Sequence, residues 1–154
     1  MAKAKGEKLI ADNRRARHDY HLGDRVEAGV MLTGTEVKSL REGKTSLQRA
    51  YADVHDGEAW LVGVHIPEYL QGNRANHDPD RERKLLLHRR EIDRLYGQVR
   101  EKGFTLVPTR LYFKDGRVKA EIALARGKEL HDKRRDIAAR DAKRQIEREL
   151  GRRR

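Results

Sequence analysis

The fold is decided by residues 104–125, FTLVPTRLYFKDGRVKAEIALA, in which two strand-like runs flank the dipeptide Asp115-Gly116. Asp-Gly tolerates the positive φ angles of a tight primed turn, so this stretch predicts a β-hairpin. Its strands would run from Phe104 to Lys114 and from Arg117 to Ala125. Alternate residues of the second strand are apolar, namely Val118, Ala120, Ile122 and Leu124. One face of the hairpin is therefore expected to be buried and the other to be wet.

A helix is predicted immediately before this hairpin, from His88 to Lys102, with Gly103 as its stop. Apolar residues follow the helical spacing i, i+3, i+4 and i+7, which places them on one face. They are Ile92, Leu95, Tyr96 and Val99. We expect that face to plug the end of a β-sheet core.

Further upstream, Arg49 to Val54 and Ala59 to His65 predict a second hairpin that turns at Asp56-Gly57. Arg25 to Leu32 predicts the first strand, and Thr33 to Glu42 predicts a short helix. Five antiparallel strands with a helix between the third and fourth follow the order of an OB-fold. We therefore expect a mainly β protein with an OB-fold-like antiparallel barrel, about two accessory helices and a basic C-terminal tail.

The stretch from Pro67 to Arg83 has neither a helical nor a strand period and predicts a long surface loop.

The distribution of charge indicates how the chain is divided into a folded part and two tails. The 154 residues carry a net charge of +11, and charged residues make up 40% of them. Most of the net positive charge lies near the two ends. We expect a flexible basic N-terminus at residues 1–12, an OB-like RNA-binding barrel at 13–126 and a basic tail at 127–154.

So basic a protein, with a pI near 10.1, attracts polyanions, of which nucleic acid is the first expectation and an anionic membrane the second. No stretch approaches the roughly 18 apolar residues of a membrane-spanning helix, and the N-terminus lacks an apolar signal region. We therefore expect a cytoplasmic protein. The absence of cysteine excludes disulfides, thiolate zinc sites and thiol catalysis.

Two segments in the first third of the chain have the residues of an RNA surface. Asn13 to Tyr20, NRRARHDY, combines guanidinium groups that can fork onto phosphates with rings that can stack on bases. The alternative is that Tyr20 packs in the core beside solvated arginines.

The second segment runs from Gly34 to Arg41. Its residues Lys38 and Arg41 share a helix face that could bind phosphate. The alternative there is that Glu36, Lys38 and Arg41 form ordinary surface ion pairs.

Two further segments lie in the second half of the chain. Arg83 to His88, RKLLLH, contains three adjacent leucines, so either one is exposed to support a base or all three are buried between helix and barrel. The stretch from Gly127 to Asp136, GKELHDKRRD, opens a charged tail with too few apolar residues for a strong stripe. We expect this tail to be disordered alone and helical on RNA. The alternative is a plain solvated helix.

Together these segments resemble the SsrA-binding protein family, also called small protein B, the partner of transfer-messenger RNA in bacterial rescue of stalled ribosomes. The resemblance covers nearly the whole chain. The four segments occur in the family's order and spacing, at Asn13 to Tyr20, Gly34 to Arg41, Asp78 to His88 and Gly127 to Arg134.

The resemblance implies a barrel that grips the tRNA-like domain of that RNA at its elbow and brings it to the A site of stalled ribosomes for trans-translation. Glu27 is implied to accept hydrogen bonds from base amino groups. The positions implied to bind the RNA are Asn13, Arg17, His18, Glu27, Lys38, Arg41, Lys84, Leu86 and His88.

The tail is implied to enter the empty mRNA channel of the small ribosomal subunit, at the 16S rRNA decoding centre, and to become helical there. The implied tail residues are Gly127, Lys128, His131, Asp132, Lys133 and Arg134. Elongation factor Tu is implied as a partner in delivery, and the protein is expected to be a monomer without a membrane partner.

The sequence leaves two other functions to consider. A nuclease could use some of the seven histidines as acid and base, with Asp78 and Asp80 on Mg²⁺. No second carboxylate cluster or histidine pair has a spacing that completes such a site, so we expect no catalytic residue, metal or cofactor. A generic ribosome-associated RNA-binding protein or RNA chaperone would share the barrel and tail without preferring a tRNA-like elbow.

Overall fold

The computed structural model of the protein describes residues 6–43, 45–71, 76–127 and 130–152, with the backbone alone for residues 130–133 and 152. Within these ranges the chain forms seven β-strands and four α-helices. The strands are β1 (Glu7–Asp12), β2 (Tyr20–Val30), β3 (Tyr51–His55), β4 (Glu58–Val62), β5 (Arg83–Leu86), β6 (Thr105–Lys114) and β7 (Arg117–Gly127). The helices are α1 (Arg14–Asp19), α2 (Gly34–Arg41), α3 (Arg89–Lys102) and α4 (Leu130–Arg152).

The strands form one antiparallel sheet in the order β1-β6-β3-β4-β5-β2-β7, and a further pairing of β6 with β7 closes it. Six strands thus make a closed ring, and β1 is added beside the C-terminal half of β6. The interior is filled by apolar side chains such as Leu61, Leu85, Leu111 and Ile122, each at most 2% exposed. The prediction of a mainly β, OB-like barrel is confirmed.

Both predicted Asp-Gly turns are present. Asp56 and Gly57 have φ angles of 55° and 73°, and Asp115 and Gly116 have 51° and 77°. These are the paired positive angles of a primed hairpin turn, which matches the right-handed twist of the strands it joins. The two turns set the register of β3 with β4 and of β6 with β7.

Helix α3 lies where the apolar spacing predicts it, and Gly103 ends it in the left-handed conformation with φ 65°. Ile92 and Leu95 are buried against the barrel, and Val99 packs at its margin. Tyr96 differs from the prediction because its ring is 42% exposed. Its hydroxyl accepts a hydrogen bond from Arg100, whose guanidinium also lies over the ring.

Three elements were absent from the predicted pattern. Strand β1 occupies residues 7–12, within the segment expected to be flexible, and a bulge between Leu9 and Ala11 hides its alternation. Strand β5 begins at Arg83, the last residue of the predicted loop. Its alternation is hidden because the inward-facing residue at this position is an arginine and not an apolar residue. Helix α1 is only 6 residues long, which is too short for a helical period.

A buried ion pair joins α2 to β5. The Nε atom of Arg83 lies 2.7 Å from Oε2 of Glu36, and both side chains are 0% exposed. The guanidinium also donates to the carbonyls of Val64 and Pro79, at 2.5 and 3.0 Å. Glu36 is therefore a core residue, and the alternative of a surface ion pair with Lys38 and Arg41 is wrong for it.

The remaining oxygen of Glu36 is also satisfied. Oε1 accepts hydrogen bonds from Arg81 and from the Thr33 backbone N–H, the latter at 2.9 Å. Burial alone would raise the pKa of Glu36, but the hydrogen bonds from Arg81, Thr33 and Arg83 outweigh it and lower the pKa. The carboxylate consequently stays ionised inside the barrel.

Replacing Arg83 by Ala is expected to lower the free energy of unfolding by about 3–5 kcal/mol, because Glu36 would lose its fully buried partner. Urea denaturation followed by far-UV circular dichroism measures this. The matched control is Lys84→Ala, which removes only the half-exposed pair of Lys84 with Glu58 and should cost less than about 1 kcal/mol. Equal losses for the two variants would contradict the central role of the buried pair.

Candidate nucleic-acid interface

A groove of about 640 Å³ lies on the outer face of the barrel, between the β3–β4 turn, strands β2, β5 and β7, and the start of α3. Four of the predicted RNA-binding residues line it. These are Glu27, Lys84, Leu86 and His88. They come from two separate parts of the chain, so the fold brings Glu27 of β2 beside the segment that contains Lys84, Leu86 and His88.

Strand β5 contributes Lys84 and Leu86, which alternate with the inward residues Arg83 and Leu85. Leu86 is 50% exposed, whereas Leu85 is 2% exposed. Leu87 packs partly buried against the core. One leucine of the three is therefore exposed, and the alternative that all three are buried is wrong.

Leu86 is held against the neighbouring strand. It pairs with Gly29 of β2, and a Cβ atom built at Gly29 would come within 3.3 Å of the Leu86 Cβ atom. The missing side chain at Gly29 thus gives Leu86 room to lie across β2. Leu86 also borders a second cavity of about 310 Å³ that Val30, Val37 and Val118 help to line. An exposed apolar side chain between two cavities is suited to support an unstacked base.

The start of α3 forms the other wall. His88 is the exposed N-cap residue, and its backbone N–H donates to Glu91 Oε1 at 3.2 Å. The next residue, Arg89, donates to the carbonyl of Gly57 at 3.0 Å. Because Arg89 ties the hairpin turn to the helix, the wall that presents His88 is fixed in place.

Glu27 lies on β2 with a half-exposed carboxylate. Oε2 accepts a hydrogen bond from the Tyr112 hydroxyl at 2.5 Å and another from Lys114 Nζ at 3.2 Å. The Tyr112 hydrogen bond is the largest cause of a lowered pKa at Glu27, to which Lys114 adds. Glu27 is therefore an ionised acceptor in a groove that also contains Lys84, Arg89 and Lys119.

The same outer face continues through Glu121 on β7. Arg110 donates to Glu121 Oε2 through two nitrogens, at 3.0 and 2.8 Å, and Arg25 donates to Oε1 at 3.0 Å. Burial would raise the pKa of Glu121, but hydrogen bonds from Arg110 and Thr109 lower it further than burial raises it. Glu27 and Glu121 are thus both engaged by cations, which offsets their negative charge on this face.

Sequence reasoning missed two basic residues of the groove, Arg89 and Lys119. Lys119 lies on β7 and pairs with Gly29, directly across from Leu86. The strand alternation placed it on the wet face, but its distance in sequence from the other motifs gave no reason to group it with them. Arg89 follows His88 and could have been included with that motif.

The other predicted positions lie elsewhere. Asn13 is 3% exposed, and its amide nitrogen donates to the carbonyls of Leu47 and Pro108 while its oxygen caps α1 through the Ala16 N–H. Asn13 thus anchors α1 from inside the protein. Tyr20 packs partly buried against a small cluster that includes Ala16, in agreement with the alternative weighed for it.

Arg17 and His18 are on α1, at the root of the tail. Arg17 pairs with Asp12 at 2.7 Å, and His18 contacts Asp19 at 2.9 Å. Gly127, the last residue of β7, pairs with Tyr20 at the end of α1, and α4 passes close to α1. Arg17 and His18 therefore lie beside the tail and outside the groove.

Lys38 and Arg41 are exposed on α2, also outside the groove. Lys38 Nζ lies 5.6 Å from the centre of the Tyr69 ring, and the Arg41 guanidinium lies 5.9 Å from that of Phe113. Both cations are thus steadied by an aromatic face while remaining open to solvent. The predicted positions divide into the groove, the tail root and α2.

The tail contains α4, whose described side chains are mostly exposed, including Arg134. Gly127 is exposed at the end of β7. Lys128 lies outside the described residues, as do the side chains of His131, Asp132 and Lys133. The helix agrees with the expected helical form, and disorder of the free tail stays a prediction.

Asp78 and Asp80, the carboxylates of the nuclease alternative, are used within their own loop. Asp80 Oδ1 contacts His65 Nδ1 at 2.7 Å, and Asp78 Oδ1 accepts the Asp80 N–H at 3.0 Å. Among the described residues, no three metal-ligating side chains gather at one point. In the same ranges, no helix has the length and apolar content to cross a membrane.

Known proteins resemble the chain over nearly its full length. It matches the family model described as SmpB protein over residues 10–152. It is 61% identical over 153 residues to the SsrA-binding protein of Acidothermus cellulolyticus, covering 99% of this chain and 96% of that one. It is 64% identical over 150 residues to that of Mycobacteroides abscessus, covering 97% and 94%. A solved chain described as "tmRNA-SmpB: a journey to the center of the bacterial ribosome" is 51% identical, with a TM-score of 0.65 over 77% of this chain and 84% of that one.

The lowered carboxyl pKa values predict how stability depends on pH. Folding lowers the pKa of Glu121 from its usual 4.5. Its contribution to the free energy of unfolding is therefore present above pH 4.5 and is lost as the pH falls through the pKa of the folded state. We expect the free energy of unfolding to decline below pH 4.5. Urea titrations between pH 3 and pH 7 should show a shallower decline for Glu121→Gln than for the wild type. Identical slopes would mean that this carboxylate is not stabilised by folding.

Proposed function

The chain belongs to the SmpB protein family, and from this premise we propose that it binds the tRNA-like domain of transfer-messenger RNA and delivers that RNA to the A site of stalled ribosomes for trans-translation. The family membership confirms the resemblance carried by the four sequence segments. The relatives are named SsrA-binding proteins, and the similar solved chain is described as a tmRNA–SmpB pair in the bacterial ribosome.

The observation that supports RNA binding most directly is the groove, which combines the three kinds of contact that an unpaired RNA loop needs. Lys84 and Lys119 can neutralise phosphates, and Leu86 offers an apolar surface to a splayed base. Glu27 and His88 can hydrogen-bond base edges. A folded elbow with unstacked loop bases fits such a site better than a regular duplex, whose bases are hidden.

The basic surfaces outside the groove extend the contact. Arg17 and His18 on α1 and Lys38 and Arg41 on α2 are proposed as additional RNA contacts through phosphate. Because Asn13 is buried, its part in binding is indirect and consists of holding α1 in position.

The tail is proposed to occupy the empty decoding centre and mRNA channel. Helix α4 is 23 residues long, so it spans about 35 Å at 1.5 Å per residue. A channel that still contains mRNA would exclude a helix of that size, which would restrict delivery to ribosomes without a codon. The tail residues proposed to act there are Gly127, Lys128, His131, Asp132, Lys133 and Arg134.

In this scheme the protein performs no chemistry of its own, because the ribosome carries out transpeptidation. Delivery with elongation factor Tu and action as a monomer belong to the same proposal, as does a location in the cytoplasm. A generic RNA chaperone is the second candidate, because the exposed basic tail would bind many RNAs. Selectivity for a tRNA-like elbow separates the two.

The groove is tested with Lys84→Ala, which we expect to weaken binding of the tRNA-like domain roughly tenfold and to reduce the salt dependence by about one phosphate contact. Fluorescence anisotropy at several salt concentrations, with excess ordinary tRNA as competitor, measures both. The matched control is Lys102→Ala, an exposed lysine at the far end of α3. Competition by ordinary tRNA as effective as that of the specific RNA would favour the chaperone.

The tail is tested with the double change Lys133→Ala and Arg134→Ala. We expect this variant to bind the RNA with unchanged affinity. It should lose peptide tagging in a reconstituted translation system whose ribosomes are stalled on an mRNA without a stop codon. A control with Lys143→Ala and Arg144→Ala removes the same charge from a later part of α4. Loss of RNA affinity in the first variant would refute the division between groove and tail.

A further inference from the structure

The two oxygens of Glu27 have different surroundings. Oε2 accepts the Tyr112 hydroxyl at 2.5 Å and Lys114 Nζ at 3.2 Å. Oε1 has a single contact among the described residues, with Lys114 Nζ at 3.5 Å, the outer limit of a hydrogen bond. One oxygen is therefore occupied by the protein, and the other keeps most of its capacity to accept.

The donor to Oε2 is itself firmly held. Tyr112 is 2% exposed on β6, and the Arg110 guanidinium lies 4.7 Å from the centre of its ring. Arg110 is fixed in turn by its two-nitrogen hydrogen bond to Glu121. Glu27 and Glu121 are paired on neighbouring strands, so the whole arrangement spans β2, β7 and β6. A rigid part of the barrel thus sets the position of the Tyr112 hydroxyl.

We propose that Tyr112 is a positioning residue for RNA recognition, which holds the Glu27 carboxylate through Oε2 so that Oε1 accepts a hydrogen bond from the amino group of an unpaired base. This inference rests on the proposed function. A glutamate side chain on a barrel surface otherwise samples several rotamers, and ordering it on binding would cost affinity. Tyr112 removes that cost before the RNA arrives.

The ionisation of the pair agrees with this role. Burial and the neighbouring carboxylate raise the pKa of Tyr112, while the Tyr112 hydrogen bond lowers the pKa of Glu27. The hydroxyl therefore keeps its proton and remains a donor, and Glu27 remains an acceptor. The amino group of a base donates hydrogen bonds. It would meet Oε1 of Glu27, a charged oxygen that accepts no hydrogen bond from a buried side chain among the described residues.

The experiment measures binding of the tRNA-like domain of transfer-messenger RNA to the full chain by fluorescence anisotropy, for the wild type, Tyr112→Phe, Glu27→Gln and the double variant. Tyr112→Phe should weaken binding about five- to tenfold, since one hydrogen bond is lost without a change in shape. The salt dependence should be unchanged, because no phosphate contact is removed. The double variant should bind no more weakly than Glu27→Gln, because Tyr112 acts through Glu27.

The matched control is Tyr96→Phe, which removes a tyrosine hydroxyl on α3 outside the groove and should bind like the wild type. Wild-type affinity in Tyr112→Phe, or additive losses in the double variant, would overturn the proposal. Failure of the wild type to prefer this RNA over ordinary tRNA would instead count against the proposed function.

A second measurement covers the case in which Tyr112→Phe does not fold. The side-chain couplings of Glu27 in the free wild-type protein, measured by NMR, should report a single rotamer. Averaged couplings would show that Glu27 is not held before binding and would overturn the proposal without any variant.

Discussion

The groove formed by β2, β5, β7 and the start of α3 depends on the buried pair of Glu36 and Arg83. Two charges with no solvent exposure are costly to desolvate, and such a pair is tolerated only when every donor and acceptor has a partner. Here Arg83 also donates to the carbonyls of Val64 and Pro79, and Arg81 gives Glu36 a second cationic donor. The pair therefore specifies one arrangement of α2, β5 and the preceding loop, because any shift would leave a buried charge without a partner.

Strand register carries that constraint to the surface. Side chains alternate along a strand, so an inward Arg83 obliges Lys84 and Leu86 to face outward. A slip by one residue would bury Lys84 and expose Arg83. Two other contacts complete the groove from outside the strand: Gly29 leaves room for Leu86, and Arg89 ties the hairpin turn to α3. The positions of the groove residues thus follow from the hydrogen bonds made by the buried ion pair in the core.

The parts of the fold that follow from local patterns could be predicted from the sequence. The Asp-Gly turns, the apolar face of α3 and its Gly103 stop depend on neighbouring residues alone, and all were found, except that Tyr96 of that face is exposed. What could not be predicted depends on polar residues used inside the protein. Arg83 hides β5, and Asn13 resembles a surface residue although its amide anchors α1 by three hydrogen bonds. Sequence alone cannot tell that a polar side chain will find its partners in the core.

The same limit applies to the site. One motif contained Lys84, Leu86 and His88, and the family resemblance implied Glu27. Only the pairing of β2 with β5 brings Glu27 beside that motif, and only the pairing of β2 with β7 adds Lys119. Strand β7 also ends at Gly127, where the tail starts, roughly 25 Å from Lys119 at the rise of a β-strand. Because this strand pairs on both sides with β2 and β6, it is a rigid spacer. Under the proposed function, the distance between the RNA held in the groove and the tail in the ribosome is therefore fixed by the barrel itself.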